Sequence, residues 1–269
     1  MMTVEPENKP DLQVDSKFPV TGQSAMTVEG VYPVCKPEGI SSFRMVQLVR
    51  RSLGIKKVGH TGTLDPFASG VLIICAGRSA TKLIPQLMVG DKEYEATLQF
   101  GIITDTQDPE GKIIEQRPVP DISERAVAEC LAQFTGEQMQ TPPSYSALKH
   151  KGKPLYYYAR KGIKVVKEPR LINIKELYCV SQGRDTLTLK AVCSKGTYIR
   201  TLAADIGEFL GCGAHLIKLK RTRNGFFSIG DTLPGEKLFA KKTAKPLLDN
   251  YRMSVDTVKE LLAGNKENN

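Results

Sequence analysis

The chain of 269 residues lacks any run of about 18 apolar residues, so no membrane-spanning helix is expected. No basic segment followed by an apolar one stands at its start, so no secretory signal is expected either. The six cysteines, Cys35, Cys75, Cys130, Cys179, Cys193 and Cys212, include no C-x-x-C pair. A reducing, cytoplasmic setting therefore fits better than a disulfide framework. Cys75, Cys179 and Cys193 lie in apolar runs and read as small core residues. The three histidines, His60, His150 and His215, are far apart and form no H-E-x-x-H, so no metal site is expected. The chain also lacks a G-x-x-x-x-G-K-[ST] phosphate cradle, a strand–G-x-G-x-x-G–helix unit and a G-x-S-x-G elbow. Those absences count against NTPases, dinucleotide-dependent dehydrogenases and serine hydrolases.

What is present is an ordinary globular composition, 41% hydrophobic and 25% charged, enough for a sizeable core. The net charge is +9. Residues 1–29 carry Glu5, Glu7, Asp11, Asp15 and Glu29 against Lys9 and Lys17, so the remainder is more basic than the whole. A basic excess suits a polyanionic partner such as nucleic acid, although charge alone also serves solubility.

Residues 1–29 are rich in Pro, Glu, Asp, Gln and Ser and read as a disordered tail. From Gly30 the pattern alternates between strand and helix without a regular βαβ rhythm. Ser41 or Ser42 caps a helix carrying Phe43, Val46, Val49 and Leu53 inward, and Gly54 ends it. Ser79 caps a second, short one. "EYEATLQF" alternates, with Tyr94, Ala96, Leu98 and Phe100 on one side. Ser123 caps a helix with Val127, Cys130, Leu131 and Phe134 on one face. A later helix turns Ile199, Leu202, Ile206 and Phe209 inward and stops at Gly211, and Asn224-Gly225 reads as a type I′ hairpin turn. The expected class is α+β, with a large mixed, mostly antiparallel sheet flanked by helices and loops.

Two stretches carry chemistry. "VGHTGTLDPFASGVLIIC", Val58 to Cys75, places one carboxylate, Asp65, on a glycine-rich loop before an apolar strand. An aspartate there is ordinarily a turn cap. A lone carboxylate can also act as a nucleophile without metal, and glycines admit close approach of a ligand. Arg200 at a helix start opposes the helix dipole, which suggests service to a nearby anion. Beside Asp65 it would keep that carboxylate ionised and oriented. The second stretch, "TPPSYSALKHKGKPLYYYARKG", mixes Lys149, Lys151, Lys153 and Arg160 with three tyrosines. That is the composition of an RNA-contacting insertion, or of a solvated basic helix.

"GHTGTLDPFASGVL", "DKEYEA", "YSALKHKGKPLYYYARKG" and "CSKGTYIRTLAADIGEFLGCGAHL" together resemble the bacterial TruB-type tRNA pseudouridine synthases, from about Val31 to Ile229. The resemblance implies the pseudouridine synthase fold. It also implies isomerisation of uridine 55 in the T-loop of tRNA by a monomeric enzyme without cofactor or metal. It implies Asp65 as the catalytic aspartate, Tyr94 as the tyrosine packed on the base, and Arg200 as the aspartate's partner. His60 is implied beside the flipped nucleotide, Tyr198 and Leu219 in the uridine pocket, and Lys36 and Lys82 as basic contacts to RNA. The expected organisation is a tail over 1–29, a catalytic domain over 30–249 with the basic insertion at about 141–163, and a short C-terminal tail over 250–269. The residues after Ile229 are too few for the PUA domain found in many members. A different class, an RNA-binding or tRNA-folding module with dispensable catalysis, is the alternative.

Overall fold

The computed structural model describes residues 28–163 and 165–264; the expected tail lies, up to residue 27, outside them. Strand β1 (Gly30–Lys36) turns through Pro37-Glu38-Gly39 into helix α1 (Ser42–Leu53). The Ser41 hydroxyl caps α1 by accepting from the Arg44 N–H at 3.1 Å, and Gly54 closes it at φ 67°. Met45, Val46, Leu48, Val49 and Leu53 form the buried stripe. Phe43 is 56% exposed, because it lies roughly 120° round the helix from the centre of that stripe.

Strand β2 (Val58–His60) and strand β3 (Ser69–Ala76) flank the Asp65 loop. In place of one helix capped by Ser79 come two short ones, α2 (Arg78–Thr81) and α3 (Ile84–Leu87). Pro85 lacks an N–H and starts a new turn rather than continuing the old one. The Ser79 hydroxyl bonds the Glu29 carboxylate instead of a helix N–H. Strand β4 (Lys92–Phe100) alternates as its sequence does. A ribbon of β5 (Ile102–Thr104) and β6 (Ile113–Gln116) holds the acidic loop between them, and α4 (Glu124–Gln133), capped by Ser123, leads to β7 (Gly136–Gln140).

The insertion folds as a small hairpin, β8 (Lys149–His150) with β9 (Lys153–Pro154), followed by α5 (Leu155–Ala159). Then come β10 (Arg170–Gln182), β11 (Thr186–Cys193), α6 (Ile199–Phe209), β12 (Ala214–Asn224), β13 (Phe227–Ser228) and β14 (Leu233–Pro234). Helices α7 (Lys241–Tyr251) and α8 (Val255–Gly264) end the described chain.

The main sheet runs β14-β1-β3-β12-β4-β11-β10-β7, with β2 and β13 attached to β3 and β12. Only β1/β14 and β3/β12 are parallel, so the sheet is mixed and mostly antiparallel. In its first half both faces are covered. Leu72 and Ile74 of β3 pack with α1 and α7 residues, while Val71, Ile73 and Cys75 pack with Leu83, Leu87 and Val258 on the other side. In the second half Tyr94, Ala96, Leu98 and Phe100 pack beneath α4 and α6.

Four further expectations are corrected. Tyr178 to Ser181 on β10 are all exposed, so Cys179 is not a core residue. Phe209, at the end of α6, is 53% exposed and meets Phe134 edge-on at 6.0 Å. The hairpin pairs Asn224 with Phe227, so its turn residues are Gly225 and Phe226, and only Gly225 has positive φ. A type I′ turn needs two such residues. Finally, residues 250–264 are not a tail. Met253 bridges Val31, and Met253 and Val258 are buried in the core.

Candidate active site

Asp65 sits on a loop that is pinned from every side. The buried Ser42 hydroxyl accepts from the Leu64 N–H at 2.8 Å and donates to the Leu64 carbonyl at 2.9 Å. The Pro66 carbonyl accepts from the Gly39 N–H at 2.9 Å and the Lys36 ammonium at 3.2 Å. The Asn224 amide donates to the Thr61 carbonyl, and the Arg221 guanidinium to the Gly62 carbonyl. Gly70 lets β3 touch β12: a Cβ there would stand 2.2 Å from the Arg221 carbonyl oxygen. Its glycine therefore serves backbone packing rather than ligand approach.

Lys36 is fully buried, and its ammonium donates to the carbonyls of Pro37, Ile40 and Pro66. With every donor used inside the protein it cannot reach a phosphate, which corrects its assignment as an RNA contact. Burial pushes its pKa down to about 8 against the pull of Asp65.

Arg200 is buried, not solvated, and its Nε meets the Asp65 Oδ2 at 3.0 Å. Its Nη1 donates to the Asp108 carboxylate at 3.1 Å and the Thr106 carbonyl at 3.0 Å; its Nη2 donates to the Tyr145 carbonyl at 2.8 Å. One guanidinium thus joins the Asp65 loop, the β5–β6 loop and the start of the insertion. Burial raises the Asp65 carboxyl above its ordinary value, and Asp108 adds to that, while Arg200 and Lys36 pull it back. The net direction is upward, so Arg200 offsets the cost of burial rather than depressing the group.

Asp65 opens into a cleft of about 500 Å³ lined also by Tyr94, Tyr198, Leu219, Arg200, Arg221 and Lys92. The expected pocket residues Tyr94, Tyr198 and Leu219 are thus brought together with Asp65. Tyr94 is 8% exposed, and burial raises its phenol while Arg221 draws it down. Tyr198 precedes α6, where the Gln140 side chain accepts from its N–H and donates to its carbonyl. His60 ends β2 opposite Ile74 and is not among the cleft-lining residues. Burial lowers its pKa, which favours a neutral ring. Lys82 is exposed on a separate groove with Lys57 and Arg78. Lys149, Lys151, Lys153 and Arg160 are exposed on the insertion and do not line the cleft, although Ser146, Ala147 and Leu148 just before them do. Lys153 and Arg160 stack on Tyr157 and Tyr156.

Sequence reasoning missed Asp108, Arg221, Lys92 and Gln140. Asp108 was hidden in a loop that reads only as turn-forming. Arg221 had a signal: it shares the inward face of β12 with Leu219, two residues away. No group of metal-binding side chains occurs among the described residues, and no described helix is long and apolar enough to cross a membrane.

The model of the TruB family pseudouridylate synthase N-terminal domain matches residues 50–199, and that of the tRNA pseudouridylate synthase B C-terminal domain matches residues 200–258. The chain belongs to the TruB family of pseudouridylate synthases. It is 51% identical over 238 residues to tRNA pseudouridine synthase B of Desulfotalea psychrophila, covering 87% of this chain and 96% of the relative. It is 45% identical over 225 residues to the protein of that name from Bordetella pertussis, covering 83% and 92%. Among solved structures, a Cbf5-Nop10-Gar1 complex aligns with TM-score 0.63 and 25% identity, covering 84% of this chain and 60% of that one. The pseudouridine synthase fold is therefore shared. The second matched domain runs through α7 into α8, which agrees with the packed C-terminus.

Proposed function

We propose that this member of the family is a tRNA pseudouridine synthase that isomerises uridine 55 in the T-loop, acting as a cytoplasmic monomer on the T-arm. The observation that carries the reading is a single carboxylate, Asp65, held on a pinned loop against one buried arginine in a cleft walled by Tyr94, Tyr198 and Leu219. Relatives named for tRNA at 45–51% identity favour tRNA as the substrate.

The reaction breaks an N-glycosidic bond, retains the uracil, turns it and joins C5 to the sugar. The target base leaves its stack to be reached, at a cost of a few kcal/mol. Asp65 then supplies the carboxylate that acts on the sugar, as nucleophile or as base. Arg200 fixes its orientation. Leu219 and the tyrosine rings exclude water, which would otherwise divert the reaction to hydrolysis. Tyr94 stacks on the base and assists removal of the C5 proton. Nothing is oxidised and nothing is hydrolysed, so positioning and one carboxylate suffice. Exposed Arg170 and Lys195 on the cleft rim, with the insertion lysines, meet the phosphates.

The test is incubation with an unmodified tRNA transcript, followed by carbodiimide labelling and primer extension. A new stop one nucleotide 3′ of position 55 is the expected result. No stop on tRNA, with one on another RNA stem-loop, would overturn the reading.

A further inference from the structure

Arg221 is the largest of the fully buried side chains, 2% exposed, and it forms no ion pair with a carboxylate among the described residues. A guanidinium removed from water without a counter-charge is costly, so its neighbours must explain it. Its Nε donates to the Val71 carbonyl at 2.7 Å, and its Nη2 donates to the Gly62 carbonyl at 3.1 Å. These carbonyls lie on either side of Asp65 along the chain, Gly62 in its loop and Val71 in the strand that follows. On the neighbouring strand, Arg221 stands directly opposite Tyr94 in the β12–β4 register, so the two side chains share the cleft-facing side of the sheet.

We propose that Arg221 is a positioning residue that holds the Tyr94 phenol against the Asp65 loop, fixing the spacing of the two groups that handle the sugar and the base. This rests on the pseudouridine synthase reading. One side chain ties the Asp65 loop at Gly62 to β3 at Val71 and shares a face with the phenol, whereas Arg200 holds the carboxylate itself and is fixed by Asp108 and the Tyr145 carbonyl. The groups that act electrostatically on the phenol are Arg221 from β12, Cys193 from β11 and Asp65 from the loop, and of these only Arg221 is a cation. Burial first, and the Arg221 charge next, keep Lys92 and His60 below their ordinary values, so the positive potential of Arg221 is felt at both.

The experiment uses Arg221→Gln and Arg221→Lys in the full chain, labelled with tyrosine carrying carbon-13 at Cζ. The Tyr94 signal is assigned by its loss in Tyr94→Phe. Both variants are expected to shift that signal while the remaining tyrosines stay in place, Gln more than Lys. Both are expected to lower kcat on tRNA by about tenfold or more with KM within about twofold, because the lost interaction acts on the reacting groups rather than on binding. If the Gln variant does not fold, Lys, which keeps the charge but not the planar fork, carries the test. An unmoved Tyr94 signal in a folded variant, or an unchanged kcat, would overturn the proposal. Absence of turnover by the wild type would sink the functional reading instead, and the carbon-13 shift would still decide the Arg221–Tyr94 contact.

Discussion

Asp108→Asn isolates the part of the site that the sequence concealed. The Asp108 Oδ1 accepts from the Thr106 hydroxyl at 2.5 Å and the Glu110 N–H at 3.0 Å, and its Oδ2 accepts from Arg200 at 3.1 Å. Asparagine preserves the first set through its carbonyl oxygen, but its amide then faces the Arg200 guanidinium, donor against donor. Both partners are about 5% exposed in their side chains, so solvent does little to soften the loss. A hydrogen bond to a charged group contributes about 1.5–3 kcal/mol. Removing one partner of a buried pair costs about 3–5 kcal/mol when the other is stranded. Arg200 keeps Asp65 and two carbonyls, so the expected loss is about 2–3 kcal/mol, or a melting temperature lower by about 4–12 °C. The Asp65 carboxyl should respond as well. Asp108 raises it, so removing that charge lets it fall. Activity that requires the Asp65 carboxylate is lost as pH drops through its pKa, and this acidic limb should move to lower pH in the variant. Thermal melts and single-turnover rates across pH read both effects. A melt within about 0.5 kcal/mol of wild type, as for an ordinary surface change, together with an unmoved acidic limb, would refute the reasoning.

Lys36→Met should lower stability and turnover, yet leave the salt dependence of tRNA binding as in wild type; a flatter slope would restore Lys36 as an RNA contact. Changing Lys149, Lys151 and Lys153 together to Ala should weaken tRNA binding and lower the slope of log affinity against log salt by about 2–3, near 0.7–0.9 per lost phosphate contact. Unchanged affinity at low salt would mark the insertion as a solvated basic hairpin. Gly70→Ala should prevent accumulation of folded protein, since its Cβ would overlap the β12 backbone at a φ of +108°; a normal melt would show that β3 and β12 can separate there.

The fold was legible wherever local pattern and tertiary packing agree. β4 alternates in sequence and in burial, and α1 and α4 start at their serine caps. Legibility failed where one residue's role depends on distant partners. Lys36 reads as a surface cation beside a turn, but the Pro37 and Ile40 carbonyls of that turn accept from its ammonium, and Pro66 adds the third once β1 meets the Asp65 loop. Ser42 reads as an alternative cap, yet it spends its hydroxyl on Leu64. Asp65 and Arg200 stand out from loop composition and the helix dipole, while the site roles of Tyr94, Tyr198 and Leu219 follow only from the family resemblance; the five converge because β4, β12 and the start of α6 border one cleft. No spacing rule reveals that Arg200 spans two aspartates 43 positions apart, Asp65 and Asp108.

The most direct test is tritium release from a tRNA transcript labelled at uridine C5, with wild type and Asp65→Asn side by side and tRNA affinity measured for both. Joining C5 to the sugar expels that hydrogen. Release by wild type that saturates at one per tRNA, absent in a variant that binds tRNA as tightly, is the predicted result. Comparable release by Asp65→Asn would remove the carboxylate from the chemistry. No release by a wild-type protein that binds the tRNA would leave an RNA-binding module in place of an enzyme.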